Sequence, residues 1–134
     1  MADRFWLPTH VLFHYTSASF AAELADAAAE PYGAPLFVVG EGAQYGYGLY
    51  ATDLDPFTTP REELVEACFA HAPPDHRALD GVLVLERDVT ERGFAQMTEH
   101  IWLLPASPLE PVDLSRLLLG AGACADGQWK VREL

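Results

Sequence analysis

The chain has 134 residues, half of them hydrophobic, enough for one domain with its own core and too apolar for a disordered tail. Its formal net charge is −12, with eight Lys plus Arg against 20 Asp plus Glu, so a phosphate backbone would meet net repulsion and nucleic acid is not an expected partner. No apolar run approaches the ~20 residues of a membrane span, and the first dozen residues lack the basic start of a signal peptide, which predicts a cytoplasmic protein with no membrane partner.

In chain order, residues 10–15 read as a strand whose alternation sets His10, Leu12 and His14 on one face and Val11, Phe13 and Tyr15 on the other. An alanine-rich helix is predicted over 17–29, with Phe20 and Leu24 four apart on its inward stripe and Glu30-Pro31 ending it. Leu36-Phe37-Val38-Val39 is a short apolar strand or buried linker. The Gly-rich segment 40–48 follows and runs into a strand near Leu49–Thr52. Thr59-Pro60-Arg61-Glu62 has the spacing of a helix start, with Thr59 as cap, Pro60 in the first helical position and Glu62 completing a capping box. Leu64, Val65, Cys68 and Phe69 would form the buried face of that helix.

His71 to Asp80 reads as a charged, proline-containing surface loop, expected to be among the most mobile segments. Residues 81–86 and 100–104 are strands apolar on both faces, hence central, and Gln128–Glu133 is an edge strand. Two helices in the first half among five or six short strands predict a single α+β domain over 1–134, built on a mixed or antiparallel sheet. Cys68 and Cys124 are too few for a disulfide framework, and neither stands in a metal-ligand spacing, so no metal site is expected.

Three pieces carry chemistry. Gly46 and Gly48 flank Tyr47 and allow close backbone approach to a ligand, while Tyr45, Tyr47 and Tyr50 offer flat faces to an aromatic, cationic ring. His14 stands at the exit of a buried strand, followed by Tyr15 and Thr16. Glu99 opens the apolar run Ile101-Trp102-Leu103-Leu104, where a fixed carboxylate could stabilise the oxocarbenium-like charge of a breaking glycosidic bond. A compact dinucleotide is compatible with the acidic balance, as is a basic protein or small molecule.

His14-Tyr15-Thr16-Ser17 followed by Tyr45-Gly46-Tyr47-Gly48-Leu49-Tyr50-Ala51-Thr52-Asp53-Leu54-Asp55-Pro56 resembles the bacterial toxin ADP-ribosyltransferases of the histidine–tyrosine–aspartate/glutamate type, in the diphtheria-toxin and poly(ADP-ribose) polymerase branch. The resemblance runs from about residue 11 to 115. It implies a split mixed β-sandwich with NAD, the co-substrate, across the cleft. It also implies that His14 holds a ribose hydroxyl, that main-chain atoms at Tyr15, beside Thr16, clamp the carboxamide, and that Tyr50 stacks on nicotinamide with Tyr47 or Tyr45 closing the pocket beside Gly48. Glu99 would be the third catalytic group, with Asp53 or Asp55 as alternatives. The implied activity is transfer of ADP-ribose to a protein or small-molecule acceptor with release of nicotinamide. NAD glycohydrolysis and a non-catalytic ADP-ribosyltransferase-like binding module remain the alternatives.

Overall fold

The computed structural model describes residues 5–6, 9–31, 33–38, 45–69, 79–88 and 93–134. Among them, nine strands and two helices follow one another as β1 (Val11–Thr16), α1 (Ala18–Ala29), β2 (Leu36–Phe37), β3 (Gly48–Thr52), α2 (Arg61–Phe69), β4 (Gly81–Glu86), β5 (Ala95–Gln96), β6 (Ile101–Pro105), β7 (Val112–Asp113), β8 (Leu118–Ala125) and β9 (Gln128–Glu133). The large sheet has seven strands in the order β5-β6-β3-β1-β4-β8-β9, and β2 and β7 form a two-stranded ribbon. The domain is thus α+β and rich in sheet.

Strand alternation decides what each face buries. Leu12 of β1 and Leu83 and Leu85 of β4 join Ala21, Leu24 and Ala25 of α1 in one core, which Phe37 of the ribbon also enters. Val11, Phe13 and Tyr15 of β1 join Val82 and Val84 of β4, Leu64 of α2 and Trp6 in a second core on the opposite face. β4 lies between β1 and β8 and is buried from Gly81 to Leu85, as its apolar run predicts. Ser17 caps α1 by accepting the Phe20 N–H at 3.2 Å, so this helix opens where the sequence places it.

Several expectations are corrected. Every strand pair among the described residues is antiparallel, so of the mixed or antiparallel sheet that the residues predict the second is found, and not the mixed sheet that the resemblance implies. β3 and β4 run the same way, but β1 inserts between them and each becomes its antiparallel neighbour. α2 begins one residue later than Thr59-Pro60 suggests, because the Pro60 carbonyl accepts the Leu64 N–H at 3.2 Å while the Thr59 N–H turns back to the Asp55 carbonyl at 3.0 Å. The apolar run at 36–38 buries Phe37 alone, since the ribbon lies with one face on the core and leaves Leu36 and Val38 in solvent.

β8 is the largest omission. Its sequence Leu-Leu-Gly-Ala-Gly-Ala-Cys-Ala has little intrinsic strand character. A Cβ at Gly120 would collide with the Phe5 ring and the Arg132 carbonyl, and one at Gly122 with the Lys130 carbonyl, so the small residues admit close neighbours on both sides. β6 is buried at Trp102, Leu103 and Leu104, yet only the two-residue β5 lies outside it, so it sits one short strand from the edge. Of the loop read at 71–80, residues 71–78 lie outside the described residues, as do residues 40–44 of the Gly-rich segment. No helix among the described residues is long and apolar enough to cross a membrane.

Candidate functional site

β1 and β3 are neighbours in the sheet but share one register pair, Phe13 with Thr52. On its other side β1 stays paired with β4 as far as Thr16 and Gly81, and β3 stays paired with β6 back to Gly48 and Pro105. The β1–β3 ladder therefore lapses along the line that His14-Tyr15-Thr16 and Gly48-Leu49-Tyr50 border, an opening in the hydrogen bonding of the sheet.

The His14 side chain bridges this opening from β1 to β3. Its Nδ1 lies 2.6 Å from the Tyr50 backbone oxygen, and because a carbonyl only accepts, the ring proton belongs on Nδ1 and Nε2 is left as an acceptor. Burial lowers the imidazole pKa below its ordinary value and outweighs the opposing effect of the Tyr50 carbonyl, so the ring is neutral near pH 7. No buried side-chain nitrogen or oxygen among the described residues lacks a partner; Nε2 has none among them and so reaches solvent. The Phe37 ring meets the imidazole edge-on at 5.0 Å and fixes its plane from the ribbon side.

Tyr50 holds the loop before it. Its hydroxyl donates to the Gly46 carbonyl at 2.7 Å and accepts the Tyr45 N–H at 3.0 Å, which curls the chain around the phenol ring. That curl needs positive φ at Gly46 (+109°) and Gly48 (+156°). Tyr45 and Tyr47 stand out from it, 39% and 48% exposed, large apolar surface for such a small loop. Tyr15 is different: its hydroxyl donates to the Leu54 carbonyl at 2.7 Å within the second core, and burial drives its pKa far upward. Its side chain is committed to the core, so only its backbone borders the opening. Thr16 ends β1 opposite Gly81.

Glu99 lies elsewhere. It sits in the bend before β6, with its side chain 88% exposed. Leu103 is the residue opposite Tyr50, so Glu99 is displaced from that level by four residues, roughly 13 Å along a strand. At this end the His100 Nδ1 meets Asp53 Oδ1 at 2.9 Å, and its Nε2 lies 3.9 Å from Glu99 Oε1. The hydrogen bond to Asp53, with the nearby charges of Asp53, Glu99 and Glu63, raises the His100 pKa. Asp55 takes the Trp6 indole N–H at 3.2 Å and the Phe57 N–H at 2.7 Å, the contacts of a turn residue.

The structure thus gathers His14, Tyr50, Gly48 and the Tyr45–Tyr47 loop, and separately gathers Asp53, Glu99 and His100. Sequence reasoning missed Phe37 and His100. Phe37 gave no signal, since its contact with His14 depends on how the ribbon lies over the sheet. His100 stands beside Glu99 in sequence and could have been read with it. Among the described residues no three His, Cys, Asp or Glu side chains are grouped to hold a metal. No protein-family model, no curated protein and no solved structure matches the chain.

Proposed function

We propose that this domain binds NAD in the opening between β1 and β3 and transfers its ADP-ribose to a protein or small-molecule acceptor, with a split β-sandwich of the ADP-ribosyltransferase type as its fold. One observation carries the reading. The two segments on which the resemblance rests, distant in sequence, meet where the β1–β3 ladder lapses, joined by the His14–Tyr50 hydrogen bond.

The roles are those that the resemblance implies for these residues. The bare Nε2 of neutral His14 accepts a ribose hydroxyl. The Tyr50 ring offers its face to the cationic nicotinamide, and Tyr47 or Tyr45 closes over it. Backbone atoms at Tyr15, with Thr16 beside them, take the carboxamide. The bond between ribose C1′ and the nicotinamide nitrogen breaks with its electron pair leaving on nicotinamide. The acceptor's nucleophilic atom then bonds to C1′ and gives up its proton to solvent. Glu99 is the carboxylate assigned to the positive charge that develops between those events.

The distance of Glu99 from His14 and Tyr50 favours a second reading, a domain that binds the dinucleotide without turnover. Incubation with NAD and measurement of free nicotinamide, with and without lysate protein, tests both. Release that depends on lysate, with ADP-ribose appearing on protein, supports transfer. Release without any added acceptor marks a glycohydrolase, and binding without release marks the second reading.

A further inference from the structure

We infer that the outer edge of β9 is a docking site for an extended acidic peptide segment that adds to the sheet as an extra strand. This surface is remote from the opening at His14 and does not depend on the activity proposed for it.

β9 pairs with β8 on one side and is the last strand of the sheet, and no described residue pairs with its other edge. The Leu134 N–H donates to the Leu119 carbonyl at 3.0 Å. Antiparallel alternation then turns the main-chain groups of Lys130 and Arg132 inward to β8 and those of Trp129, Val131 and Glu133 outward. Side chains alternate as well. Lys130 lies opposite Ala123 and Arg132 opposite Ala121, on the α1 face, while Trp129 and Val131 pack toward the second core.

Beside the two cations runs a groove of about 540 Å³ whose helix wall is Ala18, Ala22 and Ala25 and whose floor includes Ala121 and Ala123. Among the described residues no carboxylate lines it. Lys130 and Arg132 form no ion pair among the described residues, although the chain carries 20 acidic side chains and Lys130 is its single lysine. A row of outward N–H and C=O groups and two uncompensated cations two residues apart together fit one kind of occupant. It is a strand with carboxylates at alternate positions, hydrogen-bonded along β9, its acidic side chains opposite Lys130 and Arg132.

A second copy of this chain fits poorly, because two β9 strands pairing edge to edge would set cations against cations. Cations on an edge strand can also serve only to deter pairing. A deterrent of that kind repels a basic strand and gives an acidic one no affinity, so the two accounts part experimentally.

The probe is a fluorescein-labelled peptide of alternating valine and glutamate, with a valine–lysine peptide as control, titrated by fluorescence anisotropy. Saturable, salt-sensitive binding of the acidic peptide alone is expected. Two variants locate it. The double charge reversal K130E/R132E changes only exposed side chains, and Val131→Pro removes one outward N–H without touching the β8 ladder. Each should weaken binding at least ~10-fold with far-UV circular dichroism unchanged. Absence of binding, equal binding of the two peptides, or full affinity in either correctly folded variant would overturn the proposal.

Discussion

Gly48 is the residue on which the geometry of the opening depends most directly, and Gly48→Ala measures that dependence. Gly48 has a φ of +156°, and an added Cβ would run into the Leu104 carbonyl oxygen and come within 2.7 Å of Leu103 Cδ1. Leu104 pairs with Leu49 in the β3–β6 ladder, so its carbonyl cannot withdraw without disturbing that ladder. Holding an L-residue in such a conformation costs on the order of 1–3 kcal/mol, and overpacking adds about 1–3 kcal/mol. The variant should therefore lose roughly 2–6 kcal/mol, a Tm drop on the order of 10–20 °C for a domain of this size. Gly46→Ala is the internal control: φ is +109° there, but among the described residues nothing lies within 4 Å of the new Cβ. Only the conformational cost remains, about 1–2 kcal/mol. Thermal melts of both variants followed by circular dichroism decide the matter. Equal losses, or a Gly48→Ala protein as stable as its parent, would refute the packing described for the start of β3.

Tyr50→Ala should abolish any rise in Tm that NAD produces while the fold survives, and a retained rise would move the binding site elsewhere. Glu99→Gln should keep NAD binding and reduce nicotinamide release at least ~100-fold if Glu99 stabilises the transition state. Full activity in Glu99→Gln with loss in Asp53→Asn would transfer that role to Asp53. Asp53 also raises the His100 pKa, so their contact contributes stability that is complete below about pH 6.5 and fades as pH rises through the higher folded value. Asp53→Asn should consequently lower Tm most near pH 5.5, about one unit below the ordinary imidazole value, and least near pH 9, about two and a half units above it. His14 has the opposite sign: its folded pKa is depressed, so its contribution is complete above about pH 6.5 and fades as pH falls through the folded value. His14→Gln should flatten the acid limb of the stability profile, and an unchanged limb would contradict a neutral, buried imidazole.

Much of this fold is legible along the chain because periodicity is a local property. The alternation of β1, the capped alanine helix α1, the continuous apolar run of β4 and the polar alternation of β9 each follow from their own residues. The pairing of His14-Tyr15-Thr16 with the Tyr-Gly-Tyr-Gly-Leu-Tyr segment was likewise suggested by residue order, and both segments do border one opening. What sequence alone could not supply came from contacts between distant residues. β8 is a strand because Gly120 and Gly122 admit Phe5 and β9, a steric fact invisible in a run of glycine and alanine. The sheet is antiparallel throughout because β1 inserts between β3 and β4, and strand order is not written in strand sequence. Glu99 stands in the bend just before β6, yet its distance from Tyr50 is set by the β3–β6 register, which places Leu103 rather than Glu99 at the level of the ring. Local residues determine which segments become strands and helices, while register and strand order, fixed only when both faces of the sheet are buried together, decide which side chains meet.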